Sequence, residues 1–261
     1  MIRSTRKIST FFSALTLSLL LAGATHAATL DVCASGCSYS TVTSAVAAAS
    51  SGDVIELEPE TFNEGGITID KNLTIRSASG MATIDAGSHG WVFKITSGTL
   101  VDLEDLRLQG GTYARIDNSG HVDLSTVWVI GQGFQSTMGG LFNRASGVMV
   151  IADASVVASN RSLLYGGGIT NYGGLIIINS TVTGNHGKHG GGLHNLLGTA
   201  SVMASSFSFN IADRKGGAWA NLKQGGNAGT VAFHGSSSTS DNVALVDCDV
   251  SWDQSGPTCT N

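Results

Sequence analysis

Charge is scarce in this chain of 261 residues: Asp, Glu, Lys and Arg together make up 13%, about half the share in an ordinary soluble domain. Proline occurs only 2 times against 35 glycines. Collagen is excluded, because it needs abundant proline and a glycine at every third position. A disordered chain is excluded by a hydrophobic content of 42%, since disordered segments are poor in apolar residues. A helical bundle is excluded by the glycines, each of which costs a helix interior about 1 kcal/mol. Basic residues are too few for nucleic acid to be the partner. The 14 Lys+Arg face 19 Asp+Glu for a formal net charge of −5, whereas phosphate binding needs a basic surface. No G-x-S-x-G elbow and no P-loop occurs. What remains is a β-rich, glycine-punctuated protein long enough to bury a core.

The amino terminus reads as an address. Arg3, Arg6 and Lys7 precede the apolar run Phe11–Ala22, and small residues follow. This pattern predicts a secretory signal peptide over 1–27, too short to span a bilayer. Its removal leaves 28–261 as one domain with a charge near −8 (11 minus 19). No later stretch approaches the length of a membrane span, so none is expected in the mature chain. Export to the extracellular space, cell surface or periplasm is expected.

The chain repeats. Asn160, Asn185 and Asn210 are spaced by 25 and 25, and each is followed by a glycine pair or triplet: Gly166–Gly168, Gly190–Gly192 and Gly216–Gly217. A second series, Asn118, Asn143, Asn171, Asn195 and Asn221, steps by 25, 28, 24 and 26. Between them lie short Val-, Ile- and Thr-rich runs such as LIIINSTV (Leu175–Val182), which are strand-like and too short for helices. Such a period predicts coils of parallel β-structure stacked about 4.8 Å apart. The expected fold is all-β, a solenoid of roughly eight or nine coils forming a rod of about 40 Å. Asparagines lying over one another form amide ladders, a structural role, and the glycines allow positive φ at the corners. Ala45–Ala49, stopped by Ser51–Gly52, predicts a helix within 39–50 that caps the open end of the rod.

The run YSTVTSAVAAASSGDVIELEPETFNEGGITIDKNLTIRS (Tyr39–Ser77), followed by TIDAG (Thr83–Gly87), resembles the start of a secreted right-handed parallel β-helix of the pectin-lyase-like superfamily. FSFN (Phe207–Asn210) with GGA (Gly216–Ala218) is similar to the polymorphic outer membrane protein repeat. The resemblance implies fold; it leaves function open among lyases, hydrolases, adhesins and spacers.

Chemistry is sought where outward residues stack. The segments between each Asn and the next glycines carry Arg161 and Tyr165, then His186, Lys188 and His189, then Asp213, Arg214 and Lys215. In register they form a basic edge, and Arg161, Tyr165, His186, Lys188, Arg214 and Lys215 are the binding candidates for a polysaccharide or cell-surface glycan. A lyase would need a base and a cation that quenches the uronate; Lys188, His189 and Arg214 are its candidates. A non-catalytic, adhesin-like glycan binder is the leading reading, and a small lyase or hydrolase acting on acidic polysaccharide is the alternative. Alignment of VDLEDL, VDLSTV and IADASVV places Asp102, Asp123 and Asp153 in an outward column that a Ca²⁺ ion could neutralise; no other cofactor is expected. His186, His189 and His194 cross a glycine turn and make a poor zinc set.

Four cysteines allow three pairings, and disulfides are the default in an exported protein. The two ends of a rod cannot come within the ~7 Å that a disulfide requires of its Cα atoms, so Cys33–Cys37 and Cys248–Cys259 are the expected staples. Non-reducing peptide mapping should join Cys248 to Cys259; a Cys33–Cys259 or Cys37–Cys248 peptide would contradict both pairing and rod.

Overall fold

The computed structural model describes residues 27–131, 135–224 and 227–245. The expected signal peptide (Ala27 apart) and the Cys248–Cys259 staple lie outside the described residues. The chain winds as a parallel β-solenoid. A representative coil runs from Val148–Ala152 through Val156–Ala158 and Arg161–Ser162 to Ile169–Asn171. These four segments enter four different sheets of nine, eight, five and eight strands, here the long, second, short and third sheets. The long sheet begins at Thr29–Val32 and ends at Thr230–His234. Among the described residues only Trp219–Gln224 with Asn227–Ala228 pairs antiparallel.

Alternation puts apolar side chains inside. Ile55, Ile75, Leu103, Leu124, Ile151, Ile177 and Val202 are successive register partners in the long sheet. All are fully or almost fully buried, each contributing roughly 1.5–3 kcal/mol relative to an exposed side chain.

Both asparagine series are interior ladders. Asn160 Nδ2 donates to Asn185 Oδ1 at 3.0 Å, Asn185 to Asn210 at 2.9 Å, and Asn210 to Asn242 at 2.9 Å, a fourth rung beyond the repeats read from sequence. The backbone N–H groups of Asn160 and Asn185 donate to the same acceptor oxygens. In the third sheet Asn118, Asn143, Asn171, Asn195 and Asn221 are joined by bonds of 2.7–2.9 Å. The residue before each rung of the first ladder is left-handed: Ser159 (φ 56), Gly184 (φ 62), Phe209 (φ 53) and Asp241 (φ 54). Only one of these is glycine, so the first corner does not depend on it. The third corner does, since at Gly216 (φ 63) a Cβ would stand 1.9 Å from Trp219 O.

The expected cap is the helix Val42–Ala48, which buries Val42, Ala45 and Val46 against the first coils. Glu64 accepts from the N–H groups of Val42 (2.6 Å) and Thr43 (2.9 Å), and Lys71 Nζ donates to Val46 O and Ala49 O at the other end. Beside it the Cys33–Cys37 disulfide is formed, with Cα atoms 5.5 Å apart. No helix among the described residues is long and apolar enough to cross a membrane.

Replacing Asn185 by Leu should destabilise the fold by about 1–3 kcal/mol, because buried amides of the neighbouring rungs lose their partner. Denaturant unfolding of Asn185→Leu measures this; an unchanged midpoint would place Asn185 outside the ladder.

Candidate functional site

The segments between each Asn of the first series and the next glycines belong to a fourth, short sheet. Arg161, His186 and Ile211 are register partners, Gly187 pairs with Ala212, and His189 pairs with Lys215. The strand Ile211–Lys215 carries one extra residue between those pairs, so Lys188 stands opposite both Asp213 and Arg214. Arg161 and Arg214 are exposed, Lys188 and Lys215 half-exposed. His186 Nε2 lies 2.6 Å from Asp213 Oδ1. Tyr165 sits just after Arg161–Ser162, where its carbonyl accepts from Lys188 N at 3.0 Å.

Beside this edge lies the outer face of the third sheet. Its ladder asparagines point inward, so the residue before each must point outward: Lys94 and Asp117, then Phe142, Thr170 and His194, in register. Asp117, Phe142, Thr170 and His194 are nevertheless buried. Residues at the two flanking corners fold over them. Tyr113 and Tyr172 stand edge-on to Phe142 at 5.9 and 5.8 Å. Arg144 grips Asp117 with Nε at 2.6 Å and Nη2 at 2.9 Å, and its guanidinium lies 4.8 Å over the Phe142 ring. Tyr165 stacks on His194 at 5.9 Å, and His189 lies 5.7 Å from the same ring. Burial, with a smaller contribution from His189, pushes His194 down to about 4, so it is neutral at physiological pH. Burial likewise lifts Tyr172 to about 12, with a smaller contribution from neighbouring Tyr165.

Several expectations change. Among the lyase candidates, Lys188 stands opposite Asp213 and Arg214, while His189 pairs with Lys215 and approaches His194. Of the three histidines, His189 and His194 lie together at 5.7 Å, and His186 is turned to Asp213. The aspartate column shortens to two. Asp102 pairs with Asp123, but Asp123 pairs with Val150 rather than Asp153. Asp153 belongs to a turn, left-handed at φ 54, where it accepts from Ser125 Oγ at 2.9 Å. No group of three metal-ligating His, Cys, Asp or Glu residues occurs among the described residues, and calcium requires 6–8 oxygen ligands. Asp117, Arg144, Tyr113, Phe142 and Tyr172 were not singled out from sequence; adjacency to an Asn of the second series finds all but Tyr113.

The architecture and its side chains define a parallel β-solenoid with an aromatic and basic flank. No family model matches the chain, and no curated protein is similar to it in sequence; the likeness of the FSFN–GGA stretch to the polymorphic outer membrane protein repeat finds no support there. Among solved structures, pectin methylesterase from Aspergillus niger, in a penultimately deglycosylated form, is similar at 12% identity, covering 86% of this chain and 90% of that one, with a TM-score of 0.45.

The pair Asp102–Asp123 generates a prediction of its own. Burial first, then the charge of Asp123, raises the Asp102 carboxyl above its ordinary 3.8, against a weaker pull from Thr74 Oγ1. A raised native pKa means that the folded state binds the proton more tightly, so stability falls as pH rises through the window above 3.8. Asp102→Asn should therefore raise the melting temperature at neutral pH, with the gain shrinking in acid as the wild-type carboxyl is protonated. A lower melting temperature at neutral pH would contradict this.

Proposed function

We propose that this protein is an exported, non-catalytic β-solenoid that binds acidic polysaccharide along the short sheet. One observation carries the reading. The strands of the short sheet hold Arg161, Lys188, Arg214 and Lys215 against the single acid Asp213, four minus one for +3, on a chain whose total is −5. A local reversal of sign on an acidic molecule draws a polyanion, over a distance of about 8 Å at physiological ionic strength. The strand pairing puts Arg161, Lys188 and the Arg214–Lys215 pair on three successive coils, with strands about 4.8 Å apart, so a polymer lying along the axis crosses them in turn. Leu163 and Leu164, 53% and 49% exposed beside Tyr165, add apolar contact for the sugar rings. Action outside the cytoplasm agrees with the Cys33–Cys37 disulfide, because such bonds persist in oxidising compartments.

Changing Lys188, Arg214 and Lys215 together to Ser should leave the melting temperature unchanged, since none lies in a ladder. Retention by immobilised polygalacturonate or alginate should fall in the triple variant and, for the wild type, in high salt. Equal retention of variant and wild type, or no retention of the wild type at low salt, would refute the reading.

A further inference from the structure

We infer that the outer face of the third sheet carries a second, separate binding site, for the ring of a neutral pyranose, built from Tyr113, Asp117, Phe142, Arg144 and Tyr172. The inference rests on the reading of this protein as a glycan binder, but not on which edge takes the acidic chain.

The first argument is charge. Arg144 and Asp117 form a two-point ion pair of 2.6 and 2.9 Å, while Lys94, the register partner of Asp117 one coil away, has its ammonium over the Trp91 ring at 5.3 Å. The short sheet carries an excess of positive charge, whereas this pair sums to zero. Asp117 lies buried against Arg144 and offsets its charge, so the site does not favour anions. Hydroxyl groups, which both donate and accept, match the exposed part of a guanidinium whose charge a buried carboxylate offsets. Asp117 engages Nε and Nη2, which leaves Nη1 for a ligand, on a side chain that is 41% exposed. The Tyr113 hydroxyl, 3.5 Å from Nη2, adds a third polar group, and burial raises its pKa so that it stays a donor.

The second argument is shape. A pyranose is ringed by hydroxyls and apolar on its faces, so it is recognised by an aromatic plane bordered by planar polar groups. The Phe142 face is taken by Arg144. Tyr113 and Tyr172 are both half-exposed. They stand edge-on to Phe142 from successive coils on either side, two coil steps or about 10 Å apart along the axis. All five side chains are held by one another and by the sheet, so little rotamer freedom is left to lose on binding.

The third argument is that the cluster is superfluous to the fold. The solenoid core is complete inside the ladders, and the same outward column holds Thr68 and Lys94 in earlier coils and Ala220 in a later one. Nothing in the stacking requires a Phe, a buried Asp and an Arg there.

The test uses the full mature protein on an array of neutral and uronate-containing oligosaccharides, at low and high salt. Binding to neutral pyranosides is expected to survive high salt, to weaken about tenfold in Tyr172→Ala, to persist in Tyr172→Phe, and to be unaffected by the triple Ser change in the short sheet. Absence of neutral-sugar binding by the wild type, or undiminished binding by Tyr172→Ala, overturns the inference. Should Tyr172→Ala fail to fold, Arg144→Lys serves, because lysine keeps the charge and loses the two-point fork; unchanged neutral binding in that variant overturns it equally. Loss of acidic-glycan binding alone strikes the short-sheet reading and leaves this one standing.

Discussion

The structure depends on amides that cannot be satisfied alone. A buried asparagine without partners costs about 1–3 kcal/mol, and inside this solenoid its partners are the same residue one coil away and nearby backbone carbonyls. Asn160, Asn185, Asn210 and Asn242 on one corner, and Asn118 through Asn221 on another, therefore fix each coil against the next to the residue. A slip of one residue would break a ladder and turn the apolar stripe of the long sheet outward. Arg115 marks where this logic is suspended. It is fully buried, in the row that holds Gly140 in the next coil, and its guanidinium reaches only Gly139 O at 3.5 Å. Burial pushes it down to about 10.

Because interior register is fixed, exterior register follows. The short sheet's cations and the third sheet's aromatics are brought together by stacking, not by mutual attraction. Two neighbouring surfaces of different chemistry result. One carries an excess of positive charge and depends on ionic strength. The other is neutral as a pair and works through ring faces and directed hydrogen bonds. They meet at Tyr165, which follows the short strand Arg161–Ser162 and covers His194 on the third sheet.

Much of this was legible in the sequence. The steps of 25 between asparagines, the glycines after them and the alanine-rich segment before Ser51 were sufficient for a coil, a ladder and a cap. The Cys33–Cys37 staple followed from the rod. What could not be read was set by turns. Matching IADASVV to VDLSTV by alternation misplaced Asp153 by three positions: Asp123 pairs with Val150, and Asp153 and Ala154, both left-handed (φ 54 and 63), already belong to the turn after the strand. The fourth sheet escaped notice because a strand such as Arg161–Ser162 has two residues, too few to show a period. The Arg144–Asp117 pair joins residues 27 positions apart, and only the coil register makes them neighbours.

The most direct measurement is a hydrogen-exchange footprint of the mature protein with a bound acidic oligosaccharide. The account predicts added protection confined to 161–165, 186–189 and 211–215, with the long-sheet strands unchanged. Protection centred on the long sheet around Asp102 and Asp123, with none on the short sheet, would contradict it.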